Sequence, residues 1–413
     1  MRRTFARLAV FLLAPAALVA AAFLQASDVG IAITLRNATF DAYQRAAPRD
    51  YQPAPVRVID IDDESLERIG QWPWSRIRVS RLIERARAAG VSVLAFDVVF
   101  AERDRTAPRV VIPEWTDDPA LQARAELLPD PDEVLAYAMR GGDLVTGFAL
   151  TGAGGRVPAV KAGFVVVGDE AKLVTLPSFG GAVTSLPDLE AAAAGNGALN
   201  FISDKDGVVR SVPIVFRHGE KLVPSLAAEA LRLYLGAQTI ALQTRAEGND
   251  GIAAARIGRI TLPTDAKGQV WIHYSPPVPT RTVSAWKLLE PAAPGHEGAF
   301  ASLEGAIAIV GTSAAGLKDL RFSPLGESIP GVEMHAQLLE QALGDGPLVR
   351  PSSAKEWETI GMAVLGSIVV LLVIRFGSIV SATVGLAALA IAWMASWQAF
   401  VSYHMLFDPL LPS

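Results

Sequence analysis

Residues 56–100 read VRVIDIDDESLERIGQWPWSRIRVSRLIERARAAGVSVLAFDVVF, and their patterning decides the fold class. The run 56–62 is β-branched and ends in carboxylates, which reads as a strand. Within 77–89, Val79, Leu82, Ile83 and Ala86 recur at i, i+3, i+4 and i+7, the period of an amphipathic helix, and Gly90 stops it. Residues 91–100 are a second, nearly unbroken apolar strand. Strand, helix and strand at this spacing form a βαβ unit with parallel strands. Apolar runs without alternation require cover on both sheet faces. The expected fold is therefore α/β, with a mixed, largely parallel sheet and flanking helices. Trp72 and Trp74 flank Pro73 in the connection. They either line a pocket at the sheet end or plug it with apolar area.

Further elements follow on both sides. Residues 132–139 and 331–343 read as helices, and so does 224–236, with a proline at its start. Residues 143–150 and 306–313 read as strands, and 197–203 with 208–223 as paired strands turning at His218-Gly219. Residues 256–274 read as a hairpin turning near Asp265 and Gly268. The proline- and charge-rich stretch 102–131 is expected to be an irregular surface insertion. Residues 30–46 carry no proline before Pro48 and read as a helical stalk.

The 413 residues are 51% hydrophobic, with a mean hydropathy of +0.32, and the apolar excess sits at the two ends. Residues 1–7 hold three arginines, and 8–27 carry no charge. About 20 apolar residues suffice to span a bilayer. A signal peptide shares the basic start and apolar core. The runs 357–374 and 376–400, separated by Arg375, form a second and third expected span. Arginine placement puts residues 1–7 and Arg375 in the cytoplasm, and Trp393, Trp397 and Tyr403 suit the opposite interface. Residues 28–355 are then expected outside, in the periplasm of a bacterium with its spans in the inner membrane. The net charge of −5 without Lys/Arg runs argues against nucleic acid as a partner. The absence of cysteine excludes disulfides and thiol chemistry.

Asp60, Asp62, Asp63 and Glu64 cluster at the end of the first strand, and Asp97 lies near the end of the next. Ligands of open α/β sheets bind outside the carboxyl ends of the strands. Asp60, Asp62 and Asp97 are thus candidate donors to a divalent cation, or acceptors for a polar ligand. The alternative is that Asp62 and Ser65 cap the following helix and that Asp97 pairs with a cation such as Arg76. Residues 310–319, VGTSAAGLKD, have P-loop glycine spacing at Gly311 and Gly316. Leu317 replaces the lysine and Lys318 comes one residue late, so only a backbone anion contact at Gly311 to Ser313 remains. No H-E-x-x-H or G-x-S-x-G occurs, and nothing assembles a catalytic nucleophile and base.

The acidic strand end, the Trp72–Trp74 loop with Arg76, and the strand ending in Asp97 and Phe100 strongly resemble the CHASE2 extracellular sensor domain of bacterial receptors. GNGALNF (195–201), DKDGVVR (204–210) and PSLAAEA (224–230) resemble further motifs of that family. VGTS (310–313) and PGVEMHA (330–336) resemble its closing segment. The resemblance covers about residues 30–350 and departs from the family after Phe100. Strand-end placement and loop order make Asp62, Ser65, Trp72, Trp74, Arg76 and Asp97 the candidate ligand contacts at one sheet edge, with Gly311 to Ser313 and His335 on a neighbouring rim. The resemblance implies signal reception. It also implies a homodimer, a third span after the domain, and a cytoplasmic output module. That module is commonly a class III adenylate or guanylate cyclase making a cyclic nucleotide such as cAMP, and sometimes a histidine kinase, a Ser/Thr kinase or a diguanylate cyclase. Residues 401–413 are then expected to be a periplasmic turn and the opening of a fourth span. A periplasmic metal-dependent hydrolase and a ligand-free dimerisation module are the competing readings.

Overall fold

The computed structural model describes residues 30–246, 250–290, 296–317, 319–344, 346–376 and 378–409. The expected first span, 8–27, and the cytoplasmic 1–7 lie outside these. The chain forms two compact units. A sheet unit comprises Asp50–Ser323 and Glu327–Pro347, and a helical unit comprises the remainder.

In the sheet unit, β1 (Val56–Ile61) leads through α2 (Asp63–Ile69) and α3 (Arg76–Ala88) to β2 (Val93–Phe96), numbering α1 as the Gly30–Ala46 helix of the other unit. Asp62 starts α2 by accepting the Ser65 backbone N–H, and Ser75 caps α3. Val79, Leu82, Ile83 and Ala86 are the buried apolar face of α3, as their period requires. Gly90 sits at φ 79°, a left-handed conformation suited to glycine, where the chain turns from α3 toward β2.

Helices α4 (Pro108–Trp115), α5 (Pro119–Glu126) and α6 (Pro131–Met139) precede β3 (Leu144–Thr151) and β4 (Gly195–Ala198). After α7 (Leu226–Tyr234) come β5 (Thr282–Ser284), α8 (Ala285–Leu289) and β6 (Ile307–Thr312). The main sheet runs β5-β1-β6-β2-β3 with these neighbours parallel, and β4 pairs β3 in parallel; beyond β3, Gly181–Val183 pairs it antiparallel, so the sheet is mixed and largely parallel. A late strand, β6, therefore sits between β1 and β2, which the sequence reading treats as neighbours. Ile59, Ile61, Leu94, Phe96 and Val310 join α3, α6 and α8 in one core. Helices α7 and α9 (Gly331–Leu343) pack against the same strands, so both faces are covered.

Several pairings differ from expectation. Residues 102–131 hold two helices, α4 and α5, each with proline in its first turn, where the missing N–H is harmless. Residues 195–198 pair with β3 rather than with 208–223. The expected reversal at His218-Gly219 is present, joining Val215–His218 to Lys221–Pro224. Pro224 ends that strand, and Ser225 caps α7. In place of one hairpin over 256–274, Ile252–Ile257 pairs with Ile260–Pro263, while Gln269–Trp271 pairs with Ser211–Pro213. The turn at Asp265 forms, with its carboxylate accepting the Lys267 N–H at 2.8 Å, but it joins two different sheets.

The helical unit contains α1 (Gly30–Ala46), α10 (Ala354–Phe376) and α11 (Ser378–Tyr403). Helices α10 and α11 are long and apolar enough to cross a membrane. Tyr43 of α1 donates to Ser396 Oγ at 3.1 Å and meets Trp393, Trp397 and Phe400 of α11, with ring centroids 5.3 to 6.1 Å away. Arg350 grips Glu358 with two bonds of 3.0 and 2.9 Å, and the Asp408 N–H donates to the same carboxylate. Residues after α11 turn back, with Met405 bridged to Val349.

Candidate functional site

The parallel register brings Asp60 of β1 opposite Gly311 of β6. Both Asp60 oxygens accept from Ser313, one from its N–H (3.0 Å) and one from its hydroxyl (2.6 Å). Burial raises the Asp60 carboxyl to about 6; the Ser313 bonds oppose this, and Asp62 and Asp63 add to it. Besides capping α2 at 2.8 Å, Asp62 accepts the Ser284 hydroxyl at 2.5 Å. Ser65, fully buried, accepts the Trp286 N–H, and Asp63 accepts the Ala315 N–H. The acidic strand end thus stitches the loops after β1, β5 and β6 together. Gly311 is required there, because a Cβ would lie 2.5 Å from Val332 at the start of α9.

The tryptophan loop lies on the α3 side. Trp74 is 3% exposed, belongs to the core, and donates its indole N–H to Gly70 O at 2.7 Å. Trp72 packs edge-on against it at 5.5 Å. Arg76 is not the partner of Asp97. Its Nε donates to Asp132 of α6 (3.2 Å), another guanidinium nitrogen to Glu102 O (2.8 Å), and its backbone N–H to Asp104 (2.7 Å). The guanidinium also lies over Phe100 at 4.7 Å. An open pocket of about 410 Å³ adjoins this corner, lined by Trp72, Pro73, Val98, Arg103, Arg105 and Val183 among others.

Asp97 lies elsewhere. Phe96 points into the α3-side core, so strand alternation directs Asp97 to the other face. There its Oδ1 is 3.9 Å from His335 Nε2 of α9, with side chains 6% and 0% exposed. At that distance no hydrogen bond forms. Burial raises the Asp97 carboxyl to about 8, aided by Asp319 and opposed by Arg321. Burial holds the His335 imidazole down at about 3. The ring stacks on Phe201 at 4.5 Å, and neither nitrogen has a hydrogen-bond partner. Asp97, Ser313, Asp60 and Asp62 share the carboxyl end of the sheet, as expected. Trp72, Trp74 and Arg76 cluster separately, and no single constellation holds all eight candidates.

Among the described residues no group of three His, Asp or Glu side chains is placed to hold a metal ion. Asp60 and Asp62 spend their oxygens on serine and backbone donors, which leaves the expected cation set of Asp60, Asp62 and Asp97 without convergence.

Sequence reasoning missed a buried polar seam on α9. Arg281, fully buried, donates to both oxygens of Glu340 (2.6 and 2.9 Å), to Ser275 (2.7 Å) and to Glu333. Gln337 and Gln341 bond the backbone of Ser275, His273 and Trp271. The signal was present: Glu333, Gln337 and Gln341 recur every four residues in a buried helix. The DKDGVVR turn is closed by Arg210, which reaches Asp204 (2.6 Å) and Asp206 (2.7 Å).

Comparison with family profiles matches the CHASE2 domain over residues 15–374. Searches of curated proteins and of solved structures return no match. With most of its length matched, and with the acidic strand end, tryptophan loop and closing glycine–histidine segment all inside the match, the chain belongs to the CHASE2 family of extracellular sensor domains.

Proposed function

We propose that this chain is the periplasmic sensor and membrane part of a bacterial signal-transduction receptor in the inner membrane. The observation that carries this reading is the CHASE2 match ending within α10, the first of two helices apolar enough to span a bilayer. Residues 28–355 face the periplasm, α1 is the stalk, and Arg375 between the two helices faces the cytoplasm. The receptor works as a homodimer. A stimulus at the carboxyl end of the sheet, or in the Trp72 pocket, shifts an equilibrium that the helical unit conveys inward, by its difference in affinity for the two states. The output is a cytoplasmic class III nucleotide cyclase.

Reporter fusions after Arg375 and within the 240s test the topology: cytoplasmic and periplasmic behaviour, respectively, are expected. Joining residues 1–413 to a cyclase catalytic domain should then give stimulus-dependent cyclic-nucleotide synthesis. Reversed fusions or a constant output would refute the reading. The commitment of Asp60, Asp62 and Arg76 to internal bonds favours the second reading, a dimerisation module without a ligand. A thermal-shift screen of the whole chain against metals and small metabolites separates the two.

A further inference from the structure

Among the described residues, Asp97 and His335 are an ionisable pair whose burial no hydrogen bond relieves. Asp97 receives no hydrogen bond on its carboxylate, and both His335 nitrogens are unpartnered inside the protein. Buried polar groups are otherwise almost always bonded, because an unmet one costs about 1–3 kcal/mol. Each neighbouring element brings few charges. From β1 comes Asp60, satisfied by Ser313. From α7 come Glu229 and Arg232, closed on each other at 2.7 Å. On α9, Glu333 and Glu340 are held by Arg281. The remaining two, Asp319 and Arg321, act on Asp97 directly and pair with each other at 2.8 Å.

We infer that Asp97 and His335 form a buried proton-binding site, and that the hairpin carrying Asp319 and Arg321 reports whether the proton is present. The signalling consequence rests on the sensor reading above; the binding of the proton does not. The step is acid–base only. The O–H bond of the Asp97 carboxylic acid breaks, its electron pair stays on the carboxylate, and the proton goes to solvent base.

With the proton bound, Asp97 is neutral and Arg321 is left to Asp319. With the proton gone, two carboxylates face each other and compete for one guanidinium. Strand β7 (Leu320–Phe322) carries that guanidinium and pairs with β8 (Ser328–Pro330), and the Gly331 N–H donates to Asp319 O. Any relief therefore moves the hairpin or the start of α9. The hairpin's turn, Pro324–Gly326, belongs to the helical unit, where Arg45 of the stalk donates to Pro324 O at 3.1 Å. The chain from Asp319 to His335 thus runs through the unit that bears the membrane helices.

The test uses the full chain in lipid nanodiscs. Infrared spectroscopy follows the carbonyl stretch of a neutral carboxylic acid against pH, and hydrogen exchange follows amides 319–331. In the wild type a component of the band should fade with a midpoint near the Asp97 value of about 8, and Asp97→Asn, which is isosteric, should lack it. Exchange in the hairpin should rise over the same interval in the wild type and stay level in the variant. A component titrating near 8 that is missing in the wild type, or that persists in Asp97→Asn, overturns the site; the Asp60 carboxyl, at about 6, fades at lower pH in both proteins. Hairpin exchange that rises equally in both proteins overturns the reporter role. A cyclase fusion deaf to every stimulus while the band still titrates would instead count against the sensor reading.

Discussion

Asp60 and Asp97 are the same residue type at the carboxyl ends of two parallel strands, yet their surroundings are opposite. Asp60 has a donor on each oxygen, whereas Asp97 faces an unpartnered imidazole at 3.9 Å. Burial pushes both carboxyls upward, to about 6 and about 8. The contrast teaches that strand-end position alone does not make a site. What separates a structural carboxylate from one poised to respond is whether its bonding capacity is already used.

Four experiments press on that contrast. The largest effect is expected where satisfaction is most complete. Arg281→Met strands Glu340 in the interior and should destabilise the sheet unit by about 3–5 kcal/mol in urea unfolding. A loss under 1 kcal/mol would show that paired burial matters little here. Asp60→Ala removes both acceptors from Ser313 and should cost about 2 kcal/mol; no loss would erase the distinction between the two aspartates.

The third experiment is pH dependence. A carboxyl raised in the folded state holds a proton that the unfolded chain has released, so its contribution to stability falls as pH rises toward the folded value. His335, lowered, contributes the opposite slope and ceases to titrate above its unfolded value of 6.5. Between that pH and about 8, Asp97 is the one of the three still titrating. Wild-type stability should therefore drop by about 2 kcal/mol across the interval, and Asp97→Asn should remove the drop. Equal slopes for both proteins would assign it elsewhere. The smallest effect belongs to Ser284→Ala, which deletes one of the two bonds to Asp62 and should cost about 1 kcal/mol. A loss as large as that of Asp60→Ala would mean that the β1 end fails as a unit.

The unit from β1 to β2 was legible because its signals are local: the β-branched run, the period of α3 and Gly90. The insertion of β6 between those strands was not, since register across more than 200 intervening residues leaves no mark on either strand. Turn chemistry located the reversals at Gly219 and Asp265, but it says where a chain turns and not which strand it meets. In the site, Asp60, Asp62 and Asp97 were legible from strand-end placement. Ser313 and His335 were named beside them as a neighbouring rim, but which aspartate each meets was not legible, and Ser284 was missed, because tertiary packing decides those pairings. The true partner of Arg76, Asp132, lies in the first turn of α6, 56 residues away.

The glutamine ladder of α9 has a consequence for how the molecule meets its own copies. The strand pairing with Ser211–Pro213 ends at Trp271, and the Ile272 N–H still donates to Arg210 O; other backbone groups of 271–275 turn to α9. Gln337 and Gln341 take up several of them: the His273 and Ser275 N–H groups, and the Trp271 and Ser275 carbonyls. Helix side chains thus occupy places that a neighbouring strand would fill. An open β edge is a template for recruiting another chain. This amide cover guards against adhesion between sheets, leaving any contact between copies to surfaces that do not depend on strand pairing.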